Sequence, residues 1–352
     1  MKRFDYIRAG SPAEAVAAGA ADGTVFLAGG TNLLDLMKGN VLRPDRLVDV
    51  TKLPGLDRIE RRPDGSTRIG ALVRNGDLAH DAGFARAYPA VAEALLSGAS
   101  AQLRNAATTA GNLLQRTRCP YFTDTASACN KREPGSGCDA LGGETRLHAI
   151  LGWDSSCIAV NPSDFCVPLA ALDAVVEIEG AGGVRSVPLV DFHRLPEGEP
   201  WRETLLEPGD LITGVVLPAE AAGFAANSRY LKVRDRTSYA FAVVSAAAAL
   251  KLDGERIVDA RLAFGGVALK PWRARKAEAV LAGQPATPET FRRAAEAALA
   301  DAKPSGDNAY KIELARRIAV RALTLAKAGT PARMPALPAS PFASPLGVAA
   351  HA

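Results

Sequence analysis

Four of the five cysteines in this 352-residue chain, Cys119, Cys129, Cys138 and Cys157, crowd into one segment. Disulfide frameworks belong to small secreted chains, so an odd count gathered in one stretch of a large chain points instead to a metal or cluster site. Four thiolates hold either zinc or a [4Fe–4S] cluster. Structural zinc usually takes close C-x₂₋₄-C pairs; none occurs here, and Gly and Pro lie between the thiols. That spacing favours a cluster and leaves zinc open. The fifth cysteine, Cys166, sits in the apolar run Phe165-Cys166-Val167-Pro168-Leu169 and reads as a small buried hydrophobe. His148 lies inside the cysteine segment, either as a surface residue or beside a sulfur. His80, His193 and His351 form no ligand or triad spacing.

A second chemistry is anion binding. In Leu27-Ala28-Gly29-Gly30-Thr31-Asn32-Leu33-Leu34, paired glycines stand between an apolar strand and a helix. Backbone N–H groups and the helix dipole can converge there on a diphosphate. A tight turn needs glycine anyway, so this motif alone leaves a plain turn equally open. The chain lacks the G-x-G-x-x-G of a nicotinamide Rossmann unit. A second hydroxyl- and glycine-bearing stretch, Leu103-Arg104-Asn105-Ala106-Ala107-Thr108-Thr109-Ala110-Gly111-Asn112-Leu113, reads as non-helical and turn-prone. Two such loops on separate blocks suggest a long ligand gripped between lobes, and a dinucleotide with a central diphosphate fits.

The elements that must position these loops read as α+β. Ser11-Pro12-Ala13-Glu14 is a capping box with proline at the first helical position. A strand at Thr24-Val25-Phe26-Leu27, a helix through Leu33, Leu34 and Met37, and a strand at 47–50 complete a first lobe over residues 1–55. A second lobe, 56–222, has strands near 67–73, 174–179 and 211–217 and helices near 75–81 and 88–97. The stretch at about 116–160 has no sustained period and is expected to be loop-like. A smaller α+β unit, 223–329, has strands at 230–233, 242–252 and 258–264, then helices near 272–282, 287–301 and 308–328. Residues 330–352 form a Pro/Ala-rich tail.

Net charge is only +4, with basic residues scattered among acids, which excludes a nucleic-acid stripe. The start, Met1-Lys2-Arg3-Phe4, has no apolar run behind it. No secretory signal or membrane span is expected, so the chain stays in the cytoplasm or leaves it only in the company of a signal-bearing partner.

At this point the chain resembles the FAD-binding subunits and domains of the xanthine dehydrogenase and molybdenum hydroxylase family, related in fold to the vanillyl-alcohol oxidase flavoproteins. The resemblance covers about residues 1–330. It rests on the first loop, on Thr108-Thr109-Ala110-Gly111-Asn112-Leu113, on Pro162-Ser163-Asp164 and on Lys232. It implies a two-lobed FAD-binding domain followed by a smaller α+β domain. The FAD contacts would be Leu27 to Leu34, Thr108, Gly111, Asn112, Asp164 and Lys232. Ala110 departs from the family's usual glycine. In most of the family the second loop reaches its Pro-x-Asp through a short connection, so the cysteine segment reads as an insertion. It resembles that of the aldehyde oxidoreductase flavin subunits, which implies a [4Fe–4S] cluster on Cys119, Cys129, Cys138 and Cys157.

The function implied is electron transfer in a heteromeric complex. Partner chains carry the molybdenum cofactor and [2Fe–2S] centres, for which this chain has neither motif nor room, and an external acceptor takes the electrons. Two other readings stay open: a self-contained flavin oxidase, and a non-catalytic scaffold whose insertion is clamped by zinc. Arg104 is expected to position the second loop, and Arg234, Asp235 and Arg236 to form a solvated or partner-facing charge run.

Overall fold

Ser11 starts the first helix by accepting from the Glu14 N–H at 3.2 Å, and Pro12 presets its first turn. The Glu14 carboxylate reaches one residue further back than a full capping box does, to Gly10 N–H at 2.8 Å. This helix, Pro12–Gly19, joins strand β1 (Asp5–Arg8) to β2 (Thr24–Leu27), and helix Leu33–Lys38 joins β2 to β3 (Arg46–Asp49). The three short strands run parallel in the order β1-β3-β2. The first glycine loop therefore leaves the carboxyl end of a parallel strand, where α/β sheets open a crevice. A computed structural model describes residues 1–332; from residue 333 on, the expected tail lies outside the described residues.

The second sheet is antiparallel: β4 (Ile59–Arg61), β5 (Thr67–Gly70), β6 (Val175–Gly180), β7 (Gly183–Pro188) and β8 (Leu211–Leu217) stand in the order β4-β5-β8-β6-β7. β8 is central and buried along its whole length. One long excursion from β5 to β6 carries the second loop, the cysteine segment and Asp164. The expectation of a non-helical second loop is corrected, since it folds as two short helices, Ala101–Arg104 and Thr109–Leu113. Ser100 and Thr108 cap them by accepting from Leu103 N–H and Gly111 N–H; those hydroxyls were cap signals rather than turn signals. The cysteine segment is loop-like as expected, with one short helix, Pro120–Thr123, and isolated bridges.

The third sheet, β9 (Ser228–Val233), β10 (Val244–Asp253), β11 (Arg256–Gly265) and β12 (Trp272–Arg273), is antiparallel in the order β12-β11-β10-β9. Strand β10 shows why its sequence is so rich in alanine. Ala247 and Ala249 pack toward the second lobe, while Ala246, Ala248 and Leu250 pack under the helices Arg275–Leu281, Pro288–Ala298 and Tyr310–Lys327. A strand buried on both faces needs small side chains if the layers are to close on it.

Candidate cofactor cleft and cysteine site

Two cavities, of about 480 and about 530 Å³, share Thr31, Asn32 and Gly111 in their walls. The smaller is walled by the first loop, including Ala28, Gly29, Gly30 and Leu33, together with Thr108. The larger runs on past Asn112 to Asp164 and Lys232. The two glycine loops thus stand at the junction of one elongated cleft between the lobes. Leu27 and Leu34 lie outside its walls. Leu34 instead packs beside Gly30, whose φ of +69° suits glycine.

Gly29 is required by its neighbour rather than by open space. A Cβ there would lie 2.1 Å from the Ala106 carbonyl oxygen, so the two loops touch backbone to backbone. At Gly111 a Cβ would meet only Thr108 Oγ1, at 3.0 Å. Ala110 donates its N–H to Ala71 O at 3.0 Å and lines the smaller cavity; its methyl group is accommodated. Asn112 Oδ1 accepts from Ser163 Oγ at 2.9 Å and from Gln115 at 2.6 Å, which ties the second loop to the Pro-x-Asp segment across the whole insertion. Arg104 anchors the loop's other end by donating to Gly98 O at 2.7 Å.

Asp164 and Lys232 are buried and paired, with Lys232 Nζ 2.7 Å from Asp164 Oδ2 and Tyr230 donating to Oδ1 at 2.5 Å. The pair joins the second lobe to β9, and Lys232 also donates to Ser97 O at 3.2 Å. Burial first, then the Asp164 charge, pushes the Tyr230 hydroxyl well above its ordinary pKa, so this phenol stays a donor. The charge run beyond β9 is only partly solvated: Asp235 takes a two-armed contact from Arg146 at 2.7 and 2.9 Å, and Arg234 reaches Ser97 O at 3.3 Å.

The four clustered cysteines line a single enclosed space of about 10 Å³. One hairpin and two side-chain links bring them there. Residues 129–138 close as a hairpin through Asn130 N–H to Gly137 O at 2.6 Å and Cys129 N–H to Ser136 Oγ at 3.0 Å. Asn130 Nδ2 then donates to Ser156 O at 3.1 Å, beside Cys157, and Arg132 donates to Tyr121 O and Phe122 O, both at 2.9 Å, beside Cys119. Burial pushes the Cys119 thiol up to about 11 and the Cys157 thiol to about 12, so ionising them calls for a compensating positive charge. Among the described residues no group of three or more His, Cys, Asp or Glu side chains is arranged to hold a metal ion. Cys119 lines both this space and the larger cavity of the cleft. His148 is buried, not on the surface, with Nε2 3.2 Å from Cys119 Sγ. Cys166 is fully buried in the second-lobe core, as its apolar setting suggested.

Several residues of the site gave no signal in the sequence. Asn75 Oδ1 is buried in the wall of the larger cavity without a partner among the described residues, an acceptor open to a ligand donor. Tyr230 lies on the same face of β9 as Lys232, two residues away, and shares its carboxylate. Arg116 donates its backbone N–H to Asn32 Oδ1 at 2.8 Å. Only Ser163 lay inside a motif already singled out.

Residues 2–220 match the family described as FAD binding domain in molybdopterin dehydrogenase, and residues 229–326 match the CO dehydrogenase flavoprotein C-terminal domain. The chain belongs to the FAD-binding subunits of the molybdenum hydroxylase, or xanthine dehydrogenase, family. Among its relatives, the aldehyde oxidoreductase FAD-binding subunit PaoB of Escherichia coli K12 is 51% identical over 331 residues, 93% of this chain and 99% of that one. The carbon monoxide dehydrogenase medium chain of Hydrogenophaga pseudoflava is 28% identical, over 92% and 97%. A solved carbon monoxide dehydrogenase from Hydrogenophaga pseudoflava, lacking the Mo-pyranopterin moiety, superposes with a TM-score of 0.72 at 28% identity, covering 93% of this chain and 98% of that one. Quinoline 2-oxidoreductase from Pseudomonas putida 86 superposes at 0.71 with 26% identity, over 93% and 99%.

Proposed function

We propose that this chain is the electron-transfer subunit of a molybdenum-dependent aldehyde oxidoreductase. It receives electrons from partner chains bearing the molybdenum cofactor and [2Fe–2S] centres and delivers them to an external acceptor. The observation that carries the aldehyde reading is the 51% identity, over nearly the full length of both chains, to a subunit named for that activity. Among the described residues no helix is long and apolar enough to cross a membrane.

Residues of the cleft fit FAD. The junction formed by Thr31, Asn32 and Gly111, with Gly29, Gly30 and Thr108 beside it, is where the first loop's backbone N–H groups would meet a diphosphate. Asn112, Asp164, Lys232 and Asn75 Oδ1, which has no partner among the described residues, would face the rest of the cofactor. Bound FAD supplies a group that exchanges electrons singly or in pairs. The paired Asp164 and Lys232 fix that wall, and Tyr230 remains protonated behind them.

The four thiols of the insertion, Cys119, Cys129, Cys138 and Cys157, are the donor set that a [4Fe–4S] cluster would take, though among the described residues they are not gathered in a ligating arrangement. Four thiols line one enclosed space, flanked by two small apolar clusters, Phe122 with Leu36 and Ala149 with Leu269. Such a cluster would supply one-electron exchange and ligation energy in addition to these small cores.

Anaerobic aldehyde addition tests the subunit reading. In the assembled complex the flavin absorption should bleach, whereas that of the isolated chain should persist. Bleaching of the isolated chain would establish a self-contained flavin oxidase instead. A chain that purifies with zinc and no iron would replace the cluster with a zinc clamp.

A further inference from the structure

The insertion and the first glycine loop are far apart in sequence, yet Arg116 touches both, the loop through its backbone N–H and the insertion through its guanidinium. Arg116 stands at the start of the insertion. Its backbone N–H donates to Asn32 Oδ1 at 2.8 Å, at the tip of the first loop. Its guanidinium donates through Nε and Nη2 to Glu203 Oε1 at 3.1 and 2.9 Å. The same carboxylate oxygen lies 3.0 Å from Nζ of Lys131. Lys131 is two residues past Cys129, is buried, and is held further by Pro200 O at 2.9 Å. Lys131 lines the cysteine space, and Arg116 lines the cavity of the first loop.

An apolar contact runs beside this polar one. The Arg116 guanidinium lies over the Phe122 ring at 4.6 Å. Phe122 is fully buried in a small cluster with Cys129, Cys119 and Leu36, and Leu36 belongs to the helix that follows the first loop. One carboxylate against two cations leaves one positive charge in excess between two sites that both suit anions, thiolates on one side and a diphosphate on the other.

We propose that Arg116 is a positioning residue that couples the cysteine-bearing insertion to FAD retention, so that an ordered, cluster-holding insertion tightens the first loop on the cofactor. Resting on the cluster reading above, this makes the two affinities reciprocal, because any coupling free energy between two sites acts equally in both directions.

The test uses the full chain, with FAD affinity read by quenching of flavin fluorescence and iron quantified in each sample. In the wild type, removing iron should weaken FAD binding by about tenfold, within the usual range for coupled sites. R116Q with its iron retained should show a similar loss, and removing its iron should add less than about twofold. E203Q, which frees Arg116 without removing it, should behave alike, and it serves if R116Q fails to fold. R116K, which keeps the charge but not the fork, should fall between. A purely structural role would lower thermal stability and leave FAD affinity within about twofold of the wild type, which overturns the proposal. So does an iron effect on FAD binding that is as large in R116Q as in the wild type. A wild-type chain without iron sinks the cluster reading and the linkage with it. The comparison of R116Q with wild type would still decide whether Arg116 holds the FAD loop.

Discussion

Gly29 and Ala106 meet with no room for a side chain: a Cβ on Gly29 would stand 2.1 Å from the Ala106 carbonyl oxygen. The two loops are therefore one structure, and each sets the other's position at the junction of the cleft. Gly29→Ala should push the 105–107 backbone away and cost about 1–3 kcal/mol of stability through overpacking. Flavin recovered per purified chain should fall at least severalfold while far-UV circular dichroism stays native. A flavin content equal to the wild type would mean that this loop contact does not shape the cofactor site.

The buried Asp164–Lys232 pair makes a second prediction. Asp164→Ala leaves an ammonium and a phenol without their shared acceptor, and breaking a buried pair from one side costs about 3–5 kcal/mol. Urea denaturation of the flavin-free chain measures this. A loss below about 1 kcal/mol, the range of exposed pairs, would mean that Ser97 O, already 3.2 Å from Lys232 Nζ, is acceptor enough.

Glu203 predicts an acid-side weakness. Burial opposes its ionisation, but Lys131 and Arg116 outweigh burial and hold the carboxyl at about 2, down from its ordinary 4.5. A carboxyl whose folded pKa is depressed stabilises the fold above its unfolded pKa and loses that contribution as pH falls through the folded one. The melting temperature of E203Q should therefore lie below that of the wild type at neutral pH, with the gap closing as pH drops from about 4.5 to about 2. A gap that does not change over that window would contradict the pairing.

The cysteines separate into two kinds. Cys129→Ser and Cys157→Ser should abolish most of the iron and make the 116–160 segment sensitive to limited proteolysis. Cys166→Ala, in the second-lobe core, should keep the iron and lose only stability. Iron retained in both serine variants would remove these residues from the ligand set.

Much of this was legible in the sequence because local chemistry dictated it. Paired glycines between a strand and a helix, a cap at Ser11, and strands with clear apolar runs such as Leu211–Leu217 all fell where their residue types pointed. Short helices at Ala101–Arg104 and Thr109–Leu113 did not, because a four- or five-residue helix shows no period and its capping hydroxyl reads equally well as a turn. The roles of Asn75, Arg116 and Tyr230 were hidden for another reason. Each depends on a partner brought close only by the tertiary fold, as when Arg116 bonds Asn32 across eighty-four positions. Of the two readings of His148, on the surface or beside a sulfur, the second is the one the fold selects; Asn308 and Lys311, which donate to its carbonyl from the far end of the chain, hold it inside.

The central claim, a flavin- and cluster-bearing subunit, is tested most directly by the visible absorption spectrum of the purified chain with FAD and iron quantified. The account predicts flavin bands over a broad iron–sulfur shoulder, with about one FAD and about four iron atoms per chain. A colourless protein, with neither flavin nor iron, would contradict it.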